Sequence, residues 1–448
     1  MADPSLHAVT EDDGAVERRH VGVSARGLAS GSSRSGSAIP LAARLVLARL
    51  DRLRDGRLTV HLPGGEHRVV GGCGSPDADI TIHHWRFFSR LLRGADVGAG
   101  ESYVDGDWST PDLVALSRLF LANEEVLAPP RLVGLLGRMR DRLLHLLRTN
   151  TRLQARRNIH AHYDLSNDFY GLFLDPSMTY STALFTDPAQ GLEAAQRAKY
   201  ARLADWAGLR PGDHVLEIGC GWGGFAEYAA GELGCRVTGI TLSEEQARYA
   251  RRRLEARGLG DRVEIRIVDY RDVEGRYDAV VSIEMLEAVG HRYLDDFFAA
   301  CDRVLRPGGR VALQAITIPD RVYDRYRRGT DWIRKYIFPG GHLPSLGALQ
   351  AAMARRSGFV IDRMENVGDH YATTLRHWRR RFWMKVDAVR VLGFDDRFVR
   401  LWDFYLASCE AAFRQRQIGN AQLQLSRIGD AVRGRQAPEA ERPDHGRP

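Results

Sequence analysis

From residue 158 to about 428, short hydrophobic runs alternate with stretches whose apolar residues recur at helical spacing. The runs are His214-Val-Leu-Glu-Ile218, Arg236-Val-Thr-Gly-Ile240, Val263-Glu-Ile-Arg-Ile-Val268, Asp278-Ala-Val-Val-Ser282 and Arg310-Val-Ala-Leu-Gln314. Helical patterns begin near Gly224, Ser243, Tyr293 and Leu346, with Ser243 placed as an N-cap. The alternation predicts βαβ units and an α/β fold, a doubly wound, mostly parallel sheet with helical insertions. Ligands of such sheets bind beyond the carboxyl ends of the strands.

Upstream, Leu41, Leu45, Val46 and Leu50 have helical spacing, and short β-like runs follow at Leu58-Thr-Val-His-Leu62 and Ile80-Thr-Ile82. These predict a smaller N-terminal α+β domain over residues 41–125. Over 126–157, Leu132, Leu135, Leu136, Met139, Leu143, Leu146 and Leu147 alternate with eight arginines against the single acid Asp141. This is the pattern of a basic amphipathic helix, either a linker with a solvated face or an element lying on anionic lipid. Residues 1–40 and 429–448 have little to bury and are expected to be disordered tails. The enzyme-like composition is thus confined to 158–428.

A length of 448 residues, 44% of them hydrophobic, supplies cores for two or three domains and excludes a wholly disordered or fibrous chain. Cys73, Cys220, Cys235, Cys301 and Cys409 form no Cys-x-x-Cys pair, so no metal site or disulfide framework is expected and a reducing cytoplasm fits. No run approaches the roughly 18 consecutive apolar residues of a membrane span. The net charge of +7 suits an anionic partner, either lipid headgroups or nucleic acid. Residues 321–336 carry Arg321, Arg325, Arg327, Arg328, Arg334 and Lys335 among Tyr323, Tyr326, Trp332 and Tyr336, which suits either partner.

At the end of the first run stands Glu217-Ile-Gly219-Cys-Gly221-Trp-Gly223-Gly224, where glycines permit a sharp turn and close approach of a ligand. Dinucleotide sites use a different glycine spacing and an acid at the next strand's tip, where this chain has Thr241-Leu242-Ser243. Glu-x-Gly-x-Gly-x-Gly instead resembles the first motif of the Rossmann-like S-adenosylmethionine (AdoMet) methyltransferases. Asp269-Tyr270-Arg271 then falls where that class contacts adenine.

Further stretches resemble one family, the cyclopropane-fatty-acyl-phospholipid synthases. They are Arg157-Asn-Ile-His-Ala-His162-Tyr163-Asp164-Leu-Ser166-Asn167, Met178-Thr-Tyr180-Ser181, Ser282-Ile-Glu284-Met-Leu-Glu287-Ala-Val-Gly290, Tyr336-Ile-Phe338-Pro339-Gly340-Gly341 and His370-Tyr371-Ala-Thr-Thr374-Leu. With the glycine loop they run in order across residues 150–428, and Gln314-Ala-Ile316 is most like the plant and actinobacterial branch. The resemblance implies transfer of the AdoMet methyl group to a cis double bond of a phospholipid acyl chain. Proton loss from the resulting carbocation then closes a cyclopropane. It places Tyr180, Ser181, Glu217, Gly219, Gly221, Gly223, Thr241, Leu242, Gln246, Asp269, Tyr270 and Ser282 around the cofactor. It also implies a bound bicarbonate as base, held by Glu287, Ile316 and Tyr371, with Thr182 and Gln314 beside it.

Two departures bear on the last step: Thr182 stands where many members have Cys, and Gln314 where a His is common. A backbone N–H at 182 would serve equally, but an amide cannot carry a proton as imidazole does. A rival outcome is therefore a hydride shift before proton loss, giving a methylene-branched chain for a separate reductase. The resemblance further implies a peripheral, cytoplasmic enzyme at the inner membrane surface, acting on unsaturated phospholipids, and allows a homodimer. Nucleic acid is not expected as a partner, because no Asn/Asp-Pro-Pro-Tyr/Phe motif for a flipped base is present. A silent lipid-binding protein is the third class, but it would not need an intact glycine loop.

Overall fold

The computed structural model describes residues 39–72, 74–127 and 166–430. The tails, the basic segment 131–157, Cys73, His162 and Asp164 lie outside the described residues. The chain begins with helix α1 (Leu41–Leu50), whose Ala43, Val46, Leu47 and Leu50 are buried, as the spacing predicts. Strands β1 (Arg57–His61), β2 (His67–Gly71), β3 (Asp77–Ile82) and β4 (Trp108–Ser109) form a sheet in the order β2-β1-β3-β4. In β1 and β3, alternate residues such as Leu58, Val60, Ala78 and Ile80 turn inward. Helices α2 (Arg86–Val104) and α3 (Leu113–Ala122) cover this sheet.

The second sheet has seven strands. In chain order come α4 (Asn167–Gly171), α5 (Leu192–Ala207), β5 (His214–Ile218), α6 (Gly224–Gly231), β6 (Arg236–Thr241), α7 (Glu244–Ala256), β7 (Val263–Ile267) and β8 (Tyr277–Ile283). Then follow α8 (Leu294–Val304), β9 (Leu305–Thr317), α9 (Asp320–Tyr326), α10 (Trp332–Tyr336), α11 (Leu346–Arg356), β10 (Phe359–Asn366), α12 (Gly368–Met384), α13 (Asp396–Arg414) and β11 (Gly419–Arg427). The order is β10-β11-β9-β8-β5-β6-β7, with β5 to β9 parallel, so the fold is the doubly wound α/β sheet expected. β5 and β8 are buried on both faces and hence read as continuous apolar runs. Ser243 caps α7, accepting from Gln246 N–H at 3.2 Å.

Two features differ from the sequence reading. β10 and β11 add an antiparallel pair, with β11 lying between β10 and β9. β9 also starts five residues before the expected run. Its register jumps from Tyr277 opposite Leu305 to Ala279 opposite Arg310, so the turn-like residues 306–309 bulge out.

The N-terminal elements and the helices α4, α12 and α13 that follow share one apolar cluster that runs from Leu58 and Phe88 to Phe169, Trp378 and Trp402. Contact is so close at Gly100 that a Cβ there would lie 2.3 Å from the Trp332 indole nitrogen. A buried polar knot crosses the same boundary. Asp403 accepts from Arg379 Nε (2.7 Å), Trp383 Nε1 (2.7 Å) and Tyr103 O–H (2.9 Å). Burial alone would raise the Asp403 pKa, but Arg379 and these donors hold it below the ordinary carboxylate range. Its contribution to stability is therefore present above about pH 4 and lost as pH falls through the depressed value. Asp403→Ala leaves a buried guanidinium unpaired and should cost about 3–5 kcal/mol in chemical denaturation. A loss within the scatter of exposed substitutions such as Asp387→Ala would show that the knot does not tie the two sheets together.

Candidate active site

The sheet changes winding direction between β5 and β8, and a cleft of about 1170 Å³, counted to its open mouth, lies at their carboxyl ends. The loop after β5 forms its floor. Gly219, Gly221 and Gly223 all have positive φ (84°, 51° and 86°), a region closed to most side chains. A Cβ at Gly219 would lie 2.7 Å from Met285 Cγ, whereas one at Gly221 would project into open space. Tyr180, Ser181, Glu217, Thr241, Leu242, Gln246, Asp269 and Tyr270 line the rest, together with Glu284.

Several of these side chains are held in place by neighbours. Thr241 O–H donates to Gln246 Oε1 at 2.9 Å, and Asp269 is forked by Arg271, with Nε at 2.7 Å. Ser181 accepts from the buried Lys199 ammonium at 2.7 Å, while its carbonyl accepts from Gln196 at 2.9 Å. Burial brings Lys199 down to about 7. Burial likewise pushes Glu217 up to about 8, against the opposing Lys199 charge. Glu217 Oε2 is buried with no hydrogen-bond partner among the described residues. An orphaned carboxyl oxygen beside an open glycine floor fits a cationic, amine-bearing ligand such as AdoMet.

Gly223 and Ser282 are not among the residues that line the cleft. Gly223 is the N-cap of α6, where its positive φ turns the chain into the helix. Ser282 is buried and donates to the Ile218 carbonyl at 3.0 Å, tying β8 to β5.

Two carboxylates lie beyond β8. Glu287 sits on a short 3₁₀ turn, its Oε1 accepting from the Ile316 N–H and its Oε2 buried without a partner among the described residues. Burial, with the nearby Glu284 charge, pushes it up to about 8. Glu284 is different in kind. Its backbone is left-handed (φ 52°), so the two glutamates do not share a helical face as a helix at this position would arrange them. Its Oε1 accepts from Thr182 N–H (3.0 Å), Gln314 Nε2 (2.9 Å) and Asn420 Nδ2 (2.6 Å), and its Oε2 from Tyr371 O–H (2.9 Å). Gln314 is oriented in turn by Gln422 Nε2, which donates to its Oε1 at 2.8 Å.

Thr182, Gln314 and Tyr371 thus meet on Glu284, and Ile316 bonds to Glu287. The donors expected to hold bicarbonate are spent: three on Glu284, and the Ile316 N–H on Glu287. These residues do not fit a separately bound bicarbonate. Aromatic rings close the far side of the cluster. Tyr371 packs on Phe413 (4.5 Å) and Trp378 (6.0 Å), and Tyr180 on Trp378 (5.2 Å) while bonding to the Tyr405 hydroxyl.

Sequence reasoning missed Glu284's role and the partners Asn420 and Gln422. The signal lay in Asn420-Ala-Gln-Leu-Gln424, a period-two alternation whose polar members are buried. The 321–336 segment is also corrected. Tyr323 and Trp332 are buried, and Arg334 is buried over the Tyr326 ring, so these turn away from any membrane, whereas Tyr336 is exposed. Lys335 pairs with Glu101 at 2.6 Å. Arg321, Arg325 and Arg328 remain exposed.

Comparison with known proteins gives a consistent picture. Residues 150–423 match the family described as mycolic acid cyclopropane synthetase. The chain is 43% identical over 411 residues to the tuberculostearic acid methyltransferase UfaA1 of Mycobacterium tuberculosis, a match covering 87% of this chain and 93% of that protein. It is 38% identical over 358 residues to the cyclopropane-fatty-acyl-phospholipid synthase of Escherichia coli K12, covering 79% and 89%. Among solved structures, the cyclopropane synthase MmaA2 from M. tuberculosis superimposes with a TM-score of 0.56 at 32% identity, over 60% of this chain and 97% of that one. The mycolic acid cyclopropane synthase CmaA1, complexed with S-adenosylhomocysteine (SAH), gives 0.56 at 31%, with the same coverage.

A carboxyl raised to about 8 is largely protonated at pH 7 and must ionise to meet a cation. Binding of AdoMet at pH 7 should release about one proton, read from titration heats in buffers of different ionisation enthalpy. Glu217→Gln should abolish that release and weaken binding by about 10-fold or more. Proton release that survives the substitution would remove Glu217 from cofactor binding. Glu287→Gln, which keeps an oxygen to accept from the Ile316 N–H, is expected to keep AdoMet affinity, and loss of AdoMet binding in this variant would show that Glu287 shapes the cofactor site.

Proposed function

The chain belongs to the mycolic acid cyclopropane synthetase family and is an AdoMet-dependent C-methyltransferase, and from that premise we propose that it methylates a cis double bond in an unsaturated fatty acyl chain of a membrane phospholipid. The observation that carries this reading is the carboxylate cluster on the wall of the AdoMet cleft, backed by aromatic rings. An alkene is a weak nucleophile, and the sulfonium methyl supplies the electrophile it needs. The protein's task is to hold the π-bond in line and exclude water. Tyr180, Tyr371 and Trp378 offer ring faces that stabilise the carbocation left on the neighbouring carbon.

Two products are open to that cation. Immediate loss of a proton from the new methyl group closes a cyclopropane, the outcome the resemblance implies. A 1,2-hydride shift first gives a tertiary cation, and proton loss from the methyl then leaves a methylene branch. We propose the second. Gln314, fixed by Gln422, can hydrogen-bond a base but cannot carry its proton onward, so proton removal slows and the downhill shift has time to occur. The relative UfaA1, named for a methyl-branched fatty acid, supports the same reading. A separate reductase would be needed to saturate the branch.

Among the described residues no helix is long and apolar enough to cross a membrane. The proposed meeting with anionic lipid is therefore peripheral, through Arg321, Arg325 and Arg328, each worth roughly 1 kcal/mol near a charged surface. Reversing all three to Glu should release the protein from anionic vesicles in sedimentation, and unchanged binding would refute this surface. For the reaction, methyl-labelled AdoMet and vesicles of cis-monounsaturated phospholipid should yield fatty acids whose proton NMR shows a labelled vinylidene. A labelled cyclopropyl CH₂ would establish ring closure instead, and unlabelled lipid would overturn the reading.

A further inference from the structure

The Glu284 carboxylate occupies the point on which four donors from four separate segments converge. Thr182 comes from the segment before α5, Gln314 from β9, Asn420 from β11 and Tyr371 from α12. The first three can only donate through the atoms involved, and a site built of donors favours the charged carboxylate. Burial works the other way and raises its pKa, which keeps the anion basic. Oε1 takes three donors, whereas among the described residues Oε2 accepts from the Tyr371 hydroxyl alone and retains a lone pair. Glu284 also lines the cleft, so it borders the space in which the reacting methyl must lie. Its partner Glu287 has a buried Oε2 without a donor among the described residues, and burial with the Glu284 charge pushes it up to about 8, so Glu284, with four donors, is the better stabilised anion of the two.

We infer that Glu284 is the catalytic base, a carboxylate of the protein seated where a small external anion would otherwise be held. The inference rests on the methyl-transfer reading above. The alkene π-electrons form the new C–C bond as the methyl–sulfur bond breaks, and the sulfur keeps its electron pair in SAH. A C–H bond of the transferred methyl then breaks. Its electrons form the ring bond or, after hydride shift, the exocyclic double bond, and the proton passes to Glu284 Oε2 and from there to water. The balance is substrate plus AdoMet giving product, SAH and one proton, and it needs no bicarbonate.

The test uses Glu284→Gly in the full-length protein. Glycine takes the left-handed backbone at 284 without strain, so the change removes the carboxylate and opens the donor cluster while sparing the turn. Bicarbonate is titrated calorimetrically into each protein saturated with SAH, a readout independent of any lipid substrate. Wild type should give no binding heat and Glu284→Gly a saturable one. In carbon-dioxide-depleted buffer, wild-type lipid methylation should proceed unchanged. Glu284→Gly should fall by about 100-fold or more and recover at least about 10-fold when bicarbonate or formate is added. Bicarbonate binding by the wild type, a wild-type rate that falls on depletion, or a glycine variant fully active without added anion would each overturn the assignment. Lipid left unmethylated by both proteins despite the expected binding heats would instead refute the methyl-transfer reading, while the heats still support Glu284 as the occupant of the anion seat.

Discussion

Taking a carboxylate out of water is costly unless hydrogen-bond donors replace the lost solvent, and Glu284 meets that requirement with four of them. Much of the architecture around the cleft can be understood as the delivery of those donors. The antiparallel β11 brings Asn420 to the carboxylate and Gln422 to Gln314, which it faces directly in the ladder. Thr182 reaches it only because its segment is pinned behind the cleft, where Thr374 accepts the Ala183 N–H and Lys199 holds Ser181. Tyr371 arrives from α12, whose Trp378 and Phe382 are buried in the core shared with the N-terminal elements. Removing any one donor would leave the others arranged around a less compensated charge.

The same economy explains why cofactor binding and chemistry are coupled electrostatically. Lys199 is buried near Glu217 and Glu284, and its charge opposes the rise that burial imposes on both. Before a cationic ligand arrives, Glu217 is pushed towards its neutral form. A sulfonium or ammonium in the cleft supplies the missing positive charge, and the carboxyl can ionise. Glu287, lacking such a partner, stays raised. Burial raises all three glutamates, and their donors and neighbouring charges oppose that rise to different degrees.

How far the sequence disclosed this varied from element to element. β5 and β8 were legible because strands buried on both faces are largely apolar, β7 because Val263 and Ile265 alternate with exposed Glu264 and Arg266, and the glycine loop because its positive φ angles favour that residue. β10 was not, since all but Phe359 of its residues are exposed. β11 was hidden for the opposite reason: Asn420, Gln422 and Gln424 are buried polar residues, and their alternation has the look of a solvent face. The gathering of Thr182, Gln314, Ile316 and Tyr371 was legible through family resemblance, but its centre was not. Whether Glu284 or an external anion fills that centre depends on a single left-handed residue at the end of β8. In residues 321–335, charge and aromatic content were visible but direction was not, and Trp332 and Arg334 turn inward.

We infer that a protein carboxylate, and no free anion, completes the site. The most direct test of this is a crystal structure of the full chain bound to SAH, grown in buffer saturated with bicarbonate. The account predicts continuous density for the Glu284 side chain within hydrogen-bonding distance of Thr182 N, Gln314, Tyr371 and Asn420, and no planar anion beside it. Density for a carbonate on those same donors, with Glu284 turned away, would contradict it.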